Sequence, residues 1–224
     1  MERKFLVDAR RVEFVGAWLA HTSLPDAAYP VGVVSSCYYD NPNFDSYFAS
    51  QDGDLDKTKV RLRWYGILPE SGGVDAYLEV KEKDGFETWK RRLPVSVDAG
   101  ALKGQDIAAA LAPTRLKDAL AELGFFEGSG LEPAVIISYA RRRYREPFSG
   151  TSLSLDTKIT ARLATPGSSR QRRPLGTNVL ELKGVELALH PRLKSVARFA
   201  PIWTSHSKYA LAIEEFAGTG ELAV

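Results

Sequence analysis

The sequence predicts an α+β protein dominated by antiparallel β-structure, and three observations carry that reading. Strand-like segments follow one another with turns between them, helices are inserted at only a few places, and charged residues alternate with apolar ones along the strands. With 224 residues, 44% hydrophobic and 26% charged, the composition is that of an ordinary globular chain. It excludes a disordered tail, a collagen-like repeat and a disulfide scaffold. No internal repeat and no long linker divides the chain, so residues 1–224 are expected to form a single domain. Lys+Arg number 30 against 28 Asp+Glu, a formal net charge of +2, so the total signals no large polyanion and nucleic acid is not an expected partner. The lone cysteine, Cys37, cannot form an internal bridge, and Met1 leads into no signal-peptide core. No apolar run reaches the roughly 18 residues of a membrane span. A cytoplasmic protein is expected.

The elements follow in order. Lys4 to Val7 reads as a strand, and residues 8–20 as a helix with Val12, Val15, Trp18 and Leu19 at helical spacing and Asp8 placed to cap it. Pro25 to Pro30 is a loop. Val31 to Tyr39 is β-branched and aromatic and stops at the turn signal Asp40-Asn41-Pro42. Residues 43–57 are irregular, with one helical turn around Tyr47. Lys59 to Tyr65 is a strand, and Tyr77 to Lys83 pairs with Thr88 to Val95 across an Asp84-Gly85 turn. Helices are expected over 99–111 and from Pro113, a favoured first position, to Gly124. Strands resume at 133–145, 151–164 and 178–184, the last two separated by a Pro/Gly/Ser/Arg-rich loop at 165–177. Pro191 to Arg198 is expected to be helical, Lys208 to Phe216 a final strand, and 217–224 a loose tail.

The informative feature is the distribution of charge across strand faces. Period-2 alternation sets Lys59, Arg61 and Arg63 against Val60, Leu62 and Trp64. Glu79, Lys81 and Lys83 oppose Leu78 and Val80; Tyr139, Arg141 and Arg143 share a face, as do Asp156 and Lys158; Glu181 and Lys183 oppose Leu180 and Leu182. These faces carry nine basic residues and three acidic ones. A wet outer face accounts for alternation in most antiparallel sheets. It accounts poorly for the crowding of like charge, since two cations 4 Å apart repel by about 4 kcal/mol at an effective dielectric near 20. Charged faces converging inside a closed barrel need a bound anion, and Arg and Lys suit phosphate. The acids among them suit a hard divalent metal.

Nine segments in order resemble the VTC domain family, the polyphosphate polymerase branch of the triphosphate tunnel metalloenzyme superfamily. They run from Glu2 to Val7, Cys37 to Pro42, Lys59 to Gly66, Leu78 to Lys81, Lys90 to Arg92, Tyr139 to Tyr144, Leu155 to Asp156, Leu180 to Lys183 and Ser207 to Tyr209. The resemblance implies a closed eight-stranded antiparallel β-barrel with helices packed on its outside and a triphosphate bound in the tunnel. By match to the family, Lys4, Arg61, Arg63, Lys81, Lys90, Arg141, Lys183, Ser207 and Lys208 are the phosphate ligands. Arg61, Arg63, Glu181 and Lys208 are the catalytic set, and Glu181 holds Mn2+ or Mg2+ with Glu79 as a second candidate. Asp156 is a wall residue.

The implied activity is phosphoryl transfer from the γ-phosphate of ATP to a growing polyphosphate chain. Its partners are therefore a nucleoside triphosphate and inorganic polyphosphate, and a membrane partner protein that receives the product is compatible with the family. Hydrolysis of a triphosphate or polyphosphate in the same tunnel is the alternative, as is a non-catalytic module binding polyphosphate, a nucleotide or an inositol phosphate. One departure bears on the choice. Superfamily triphosphatases open with Glu-x-Glu-x-Lys, whereas this chain has Glu2-Arg3-Lys4 alone, which removes one metal ligand and argues against a simple triphosphatase.

Other chemistry is weakly signalled. His21, His190 and His206 are too scattered for metal-ligand spacing, although His206 neighbours Ser207 and Lys208. Cys37 reads as a packing residue rather than a nucleophile. Arg170, Arg172 and Arg173 read as a solvated basic loop. Trp18, Trp64, Trp89 and Trp203 are expected to pack helices against strands, with one of them a candidate to stack on a nucleotide base.

Overall fold

The computed structural model describes residues 2–85, 87–104, 107–128, 130–165, 171–184, 188–198 and 207–222. In chain order, strand β1 (Glu2–Val7) leads through a 3-10 turn (Ala9–Arg11) into helix α1 (Val12–Thr22), followed by β2 (Leu24–Pro25), β3 (Val31–Asp40) and α2 (Asp45–Gln51). Next come β4 (Lys57–Tyr65), β5 (Gly73–Asp84), β6 (Glu87–Asp98), α3 (Ala99–Lys103), a 3-10 turn (Ile107–Ala110) and α4 (Pro113–Glu122). The last part holds β7 (Glu132–Arg145), β8 (Ser152–Leu163), β9 (Arg173–Pro174), β10 (Asn178–Lys183), a 3-10 segment (Pro191–Arg198) and α5 (Lys208–Gly218). The long strands pair in the order β1-β10-β8-β7-β3-β4-β5-β6, with β2 on β7 and β9 on β8. The class is α+β and mainly β, as the alternation predicts, and among the described residues the pairing path runs from β1 to β6.

The chain folds into two compact units. The first comprises Met1–Val33, Ser138–Thr160 and Pro174–His206. In it β1 pairs antiparallel with β10, and β10 with β8, in a register that sets Lys4 opposite Glu181 and Glu2 opposite Lys183. One face of these strands is apolar: Phe5, Val7, Leu153, Leu155, Leu180 and Leu182 pack with Val15 and Leu19 of α1 and with Leu193 and Val196 of the 3-10 segment. Each such burial contributes about 1.5–3 kcal/mol, which fixes the strand register and so the opposite, charged face. Trp18 joins this packing and donates its indole N–H to Ser195 Oγ at 2.9 Å.

The second unit comprises Val34–Ile137, Ala161–Arg173 and Ser207–Val224. Strands β3, β4, β5 and β6 pair in succession, with Val60 opposite Val80, Leu62 opposite Leu78 and Trp64 opposite Ala76. That apolar face packs with Leu102 of α3, Ile107, and Leu116 and Leu120 of α4. Cys37 is fully buried in the same cluster, the packing role expected of it, and burial pushes its thiol pKa up.

Several expectations change. Lys208–Gly218 is a helix rather than a strand: Tyr209, Ala210, Ala212, Ile213 and Phe216 are its buried residues, at helical and not alternating spacing. The helix expected over 99–111 is two short pieces, α3 and a 3-10 turn. Lys158 does not share a face with Asp156, because Lys158 adopts φ 53 and the strand's alternation breaks there; Asp156 is buried and Lys158 is exposed. Trp89 is 46% exposed, whereas Trp64 is core. His206, Trp203 and Arg170 lie outside the described residues.

Candidate functional site

In the second unit, the face opposite the apolar one is built by β3 to β6. Register places Tyr38 beside Arg61, Arg61 beside Glu79, and Glu79 beside Arg92. One row away, Lys59, Lys81 and Lys90 stand directly opposite one another on three neighbouring strands. Glu79 is 1% exposed, and four cations converge on its carboxylate. Arg61 approaches to 2.6 Å, Lys90 to 2.7 Å, Arg92 to 3.7 Å and Arg63 to 3.8 Å. Burial pushes the Glu79 carboxyl up, but Arg61, Arg63 and Lys90 outweigh it and hold the pKa at about 2. In this arrangement Glu79 gathers four cations from the two flanking strands around one carboxylate.

Helix α5 meets this unit through Tyr209, whose ring stacks on Tyr38, and through Ser207, its N-cap. Ser207 Oγ accepts from Ala210 N at 3.3 Å and from Lys59 Nζ at 2.9 Å. Lys208 is the first helical residue, and its charge acts on Tyr38. Tyr38 is nearly buried, and Arg61 donates to its hydroxyl at 3.1 Å. Burial pushes the phenol up, but Arg61, Arg63 and Lys208 pull it down to about 7.

In the first unit the charged face centres on Glu181 and Asp156. Arg141 grips Asp156 in bidentate fashion at 2.6 and 2.7 Å, and its second terminal nitrogen also reaches Glu181 at 3.4 Å. Lys183 lies 2.8 Å from Glu181, and Lys4 lies 2.8 Å from Glu2. Lys183 also lies 4.0 Å from Glu2, so the Glu2 and Glu181 carboxylates flank one ammonium. Burial raises the Glu181 pKa, but the charges of Lys183, Arg141 and Lys4 outweigh it, so the carboxylate stays ionised.

This pairing bears on the metal implied by the family. Two carboxylates that flank one ammonium are a pair of hard oxygen donors, which suits Mg2+ or Mn2+ that takes its other ligands from phosphate and water. Glu181 and Glu2 fit such an ion. Among the described residues no group of three or more His, Cys, Asp or Glu is placed to hold a metal by itself.

Within the second unit the sequence-predicted residues Arg61, Arg63, Lys81, Lys90, Ser207 and Lys208 therefore lie on or beside one face, and within the first Lys4, Arg141, Glu181 and Lys183 do. Arg92 and Tyr38 lie on the same charged face and Glu2 lies beside Lys183, although none of the three is among the site residues expected from the sequence. Alternation carries the signal for each, since Arg92 is two residues from Lys90, Tyr38 two from Ser36 and Glu2 two from Lys4. No helix among the described residues is long and apolar enough to cross a membrane.

No curated protein matches the sequence. Solved structures similar to it include a candidate adenylate cyclase from Bacillus halodurans, at 14% identity and TM-score 0.47, covering 100% of this chain and 90% of that one. A conserved hypothetical protein from Pyrococcus furiosus is 12% identical with TM-score 0.47, over 95% of this chain and 98% of that one. The PH1012 protein of Pyrococcus horikoshii is 12% identical with TM-score 0.43, over 94% and 99%. The family comparison reaches further: residues 1–216 match the VTC domain, and the chain belongs to the VTC domain family.

Proposed function

We propose that this chain is a single metal-dependent phosphoryl-transfer domain, closed as the tunnel of its superfamily, that extends inorganic polyphosphate with the γ-phosphate of ATP. The observation that carries the reading is charge. On the face shared by Lys59 to Arg63, Tyr77 to Lys81 and Lys90 to Pro94, the six cations Lys59, Arg61, Arg63, Lys81, Lys90 and Arg92 accompany one carboxylate, Glu79. A half-buried face with that imbalance favours a polyanion several charges strong, and the Arg forks and Lys point charges match phosphate oxygens.

Phosphoryl transfer asks for positioning and charge stabilisation more than covalent chemistry. In this reading Arg61, Arg63 and Lys90 hold the donor's phosphates, with Glu79 fixing their directions. Lys59, Lys81, Ser207 and Lys208 guide the chain, and Lys4, Arg141 and Lys183 neutralise phosphate beside Glu181. Glu181 with Glu2 would hold Mn2+ or Mg2+, which would supply positive charge to the phosphate oxygens. A terminal polyphosphate oxygen attacks the γ-phosphorus in line; the new P–O bond forms as the bond to the β-bridging oxygen breaks, and ADP leaves.

The test is incubation of the pure chain with ATP, a polyphosphate primer and Mn2+ or Mg2+, with assays for chain length and free phosphate. Lengthening chains support the reading; free phosphate alone replaces it with hydrolysis, and tight binding without turnover replaces it with a binding module. Glu181→Gln should abolish turnover and keep most of the polyphosphate affinity. Undiminished turnover would remove Glu181 from the mechanism.

A further inference from the structure

We propose that Tyr65 is a nucleobase platform, so that the donor site recognises a nucleoside triphosphate and not merely its phosphate tail. The inference deepens the function proposed above and rests on it.

Along β4 the residues on the charged face are Lys59, Arg61, Arg63 and Tyr65, so the row of cations ends in an aromatic ring. Across the ladder Tyr77 is opposite Arg63, and it meets Tyr65 edge to face with centroids 6.2 Å apart and planes at 68°. Arg92, one of the four cations at Glu79, lies 3.3 Å from the centre of the Tyr77 ring and 6.0 Å from that of Tyr65. Tyr77 is thus covered by a guanidinium and braced at its edge. Tyr65 is held from that side and remains 43% exposed, a large aromatic surface at the end of a charged face.

The chemistry of a nucleotide fits this gradient. Its phosphates need cations and its base needs a π-face, and the two are separated by a ribose. From Arg61 to Tyr65 the strand covers four residues, about 13 Å, within the reach of a triphosphate and ribose in extended form. A bare polyphosphate gains nothing from the aromatic end. Stacking on a single aromatic side chain is tolerant of base identity, because every base has a π-face, so purine triphosphates should be favoured over pyrimidine ones only mildly.

The test measures Kd for ATP and for inorganic tripolyphosphate on the full chain, with the same metal present, for the wild type, Tyr65→Ala and Tyr65→Trp. The expected result is that Tyr65→Ala weakens ATP about ten- to a hundred-fold, leaves tripolyphosphate unchanged, and that Tyr65→Trp keeps ATP affinity. Unchanged tripolyphosphate binding also reports that the variant is folded. Equal loss of both ligands, or no loss of ATP, overturns the platform while leaving the polyanion site standing. Failure of the wild type to bind tripolyphosphate removes the functional reading and this inference together.

Discussion

The Tyr38 and Tyr209 rings stack with centroids 5.2 Å apart and planes 18° from parallel, while the Tyr209 hydroxyl donates to Asp40 at 2.5 Å. Asp40 is buried at the end of β3, and its two oxygens also accept the backbone N–H groups of Asn41, Ser46 and Tyr47. One carboxylate therefore ties the start of α2 and the start of α5 to the strand that carries Tyr38. Ser207 and Lys208 owe their position to this anchor. Burial raises the Tyr209 pKa, as do the Asp40 charge and hydrogen bond, so Tyr209 stays a donor across the physiological range.

Tyr209→Phe keeps the stack and removes one of the four donors to Asp40. The expected cost is about 1–3 kcal/mol, read as a lower urea midpoint at unchanged slope. Tripolyphosphate affinity should fall with it, since Ser207 loses its fixed place beside Lys59. Wild-type values in both measurements would show that the backbone donors alone satisfy Asp40 and hold the helix.

The contrast between α5 and the strands shows what the sequence can and cannot convey. In Lys59 to Trp64 the alternation is strict and the apolar half is Val, Leu and Trp, so pattern alone defines both faces. In Lys208 to Phe216 a short run of Tyr, Ala, Leu and Ile satisfies a strand or a helix, and length does not arbitrate. The helical signal is Ser207, an N-cap residue, but its hydroxyl equally suits a phosphate contact. In the structure it is both a cap and a partner of Lys59. The candidate cations other than Lys208 are legible because each sits on a regular strand. The role of Glu79 is not, because its neighbours Lys90 and Arg92 come from another strand, and register is invisible in a single sequence.

Tyr38 gives a spectroscopic handle. Its phenol is lowered from an ordinary 10 to about 7 despite burial, by Arg61, Arg63 and Lys208. A group whose folded pKa is depressed contributes stability fully present above its unfolded value, and loses it as pH falls through the folded one. Stability should therefore climb between about pH 7 and pH 10 on this account. A tyrosinate absorbance titration should show one early transition near 7, absent in Tyr38→Phe. Saturating tripolyphosphate should move it upward, because the bound polyanion screens the same cations. No early transition in the wild type would mean that the phenol remains neutral beside Arg61.

In the first unit, Asp156 is fully buried and Arg141 is mostly so. Asp156→Ala leaves a guanidinium with its bidentate partner gone, and a cost of about 3–5 kcal/mol is expected. Asp156→Asn keeps one acceptor and should cost less. Chemical denaturation of the two variants orders them. A reversed order would show that Arg141 is held by Glu181 and not by Asp156.

Glu79 joins stability to ligand in one residue. Its pKa falls from an ordinary 4.5 to about 2, so it contributes about 3 kcal/mol that is present above pH 4.5 and lost as pH drops towards 2. Glu79→Gln removes that contribution at every pH and leaves Arg61, Arg63, Lys90 and Arg92 without the carboxylate they surround. The variant should melt lower than the wild type at pH 7, with the gap closing as the wild type is acidified. A polyanion can replace the missing charge, so tripolyphosphate should raise the melting temperature of Glu79→Gln by more than it raises that of the wild type. The comparison separates two roles that the geometry allows. If the carboxylate merely balances cations, the anion restores stability and binding tightens. If it also aims them, stability returns while affinity falls below wild type, because the Arg61 fork and the Lys90 ammonium have lost the acceptor that fixed their directions.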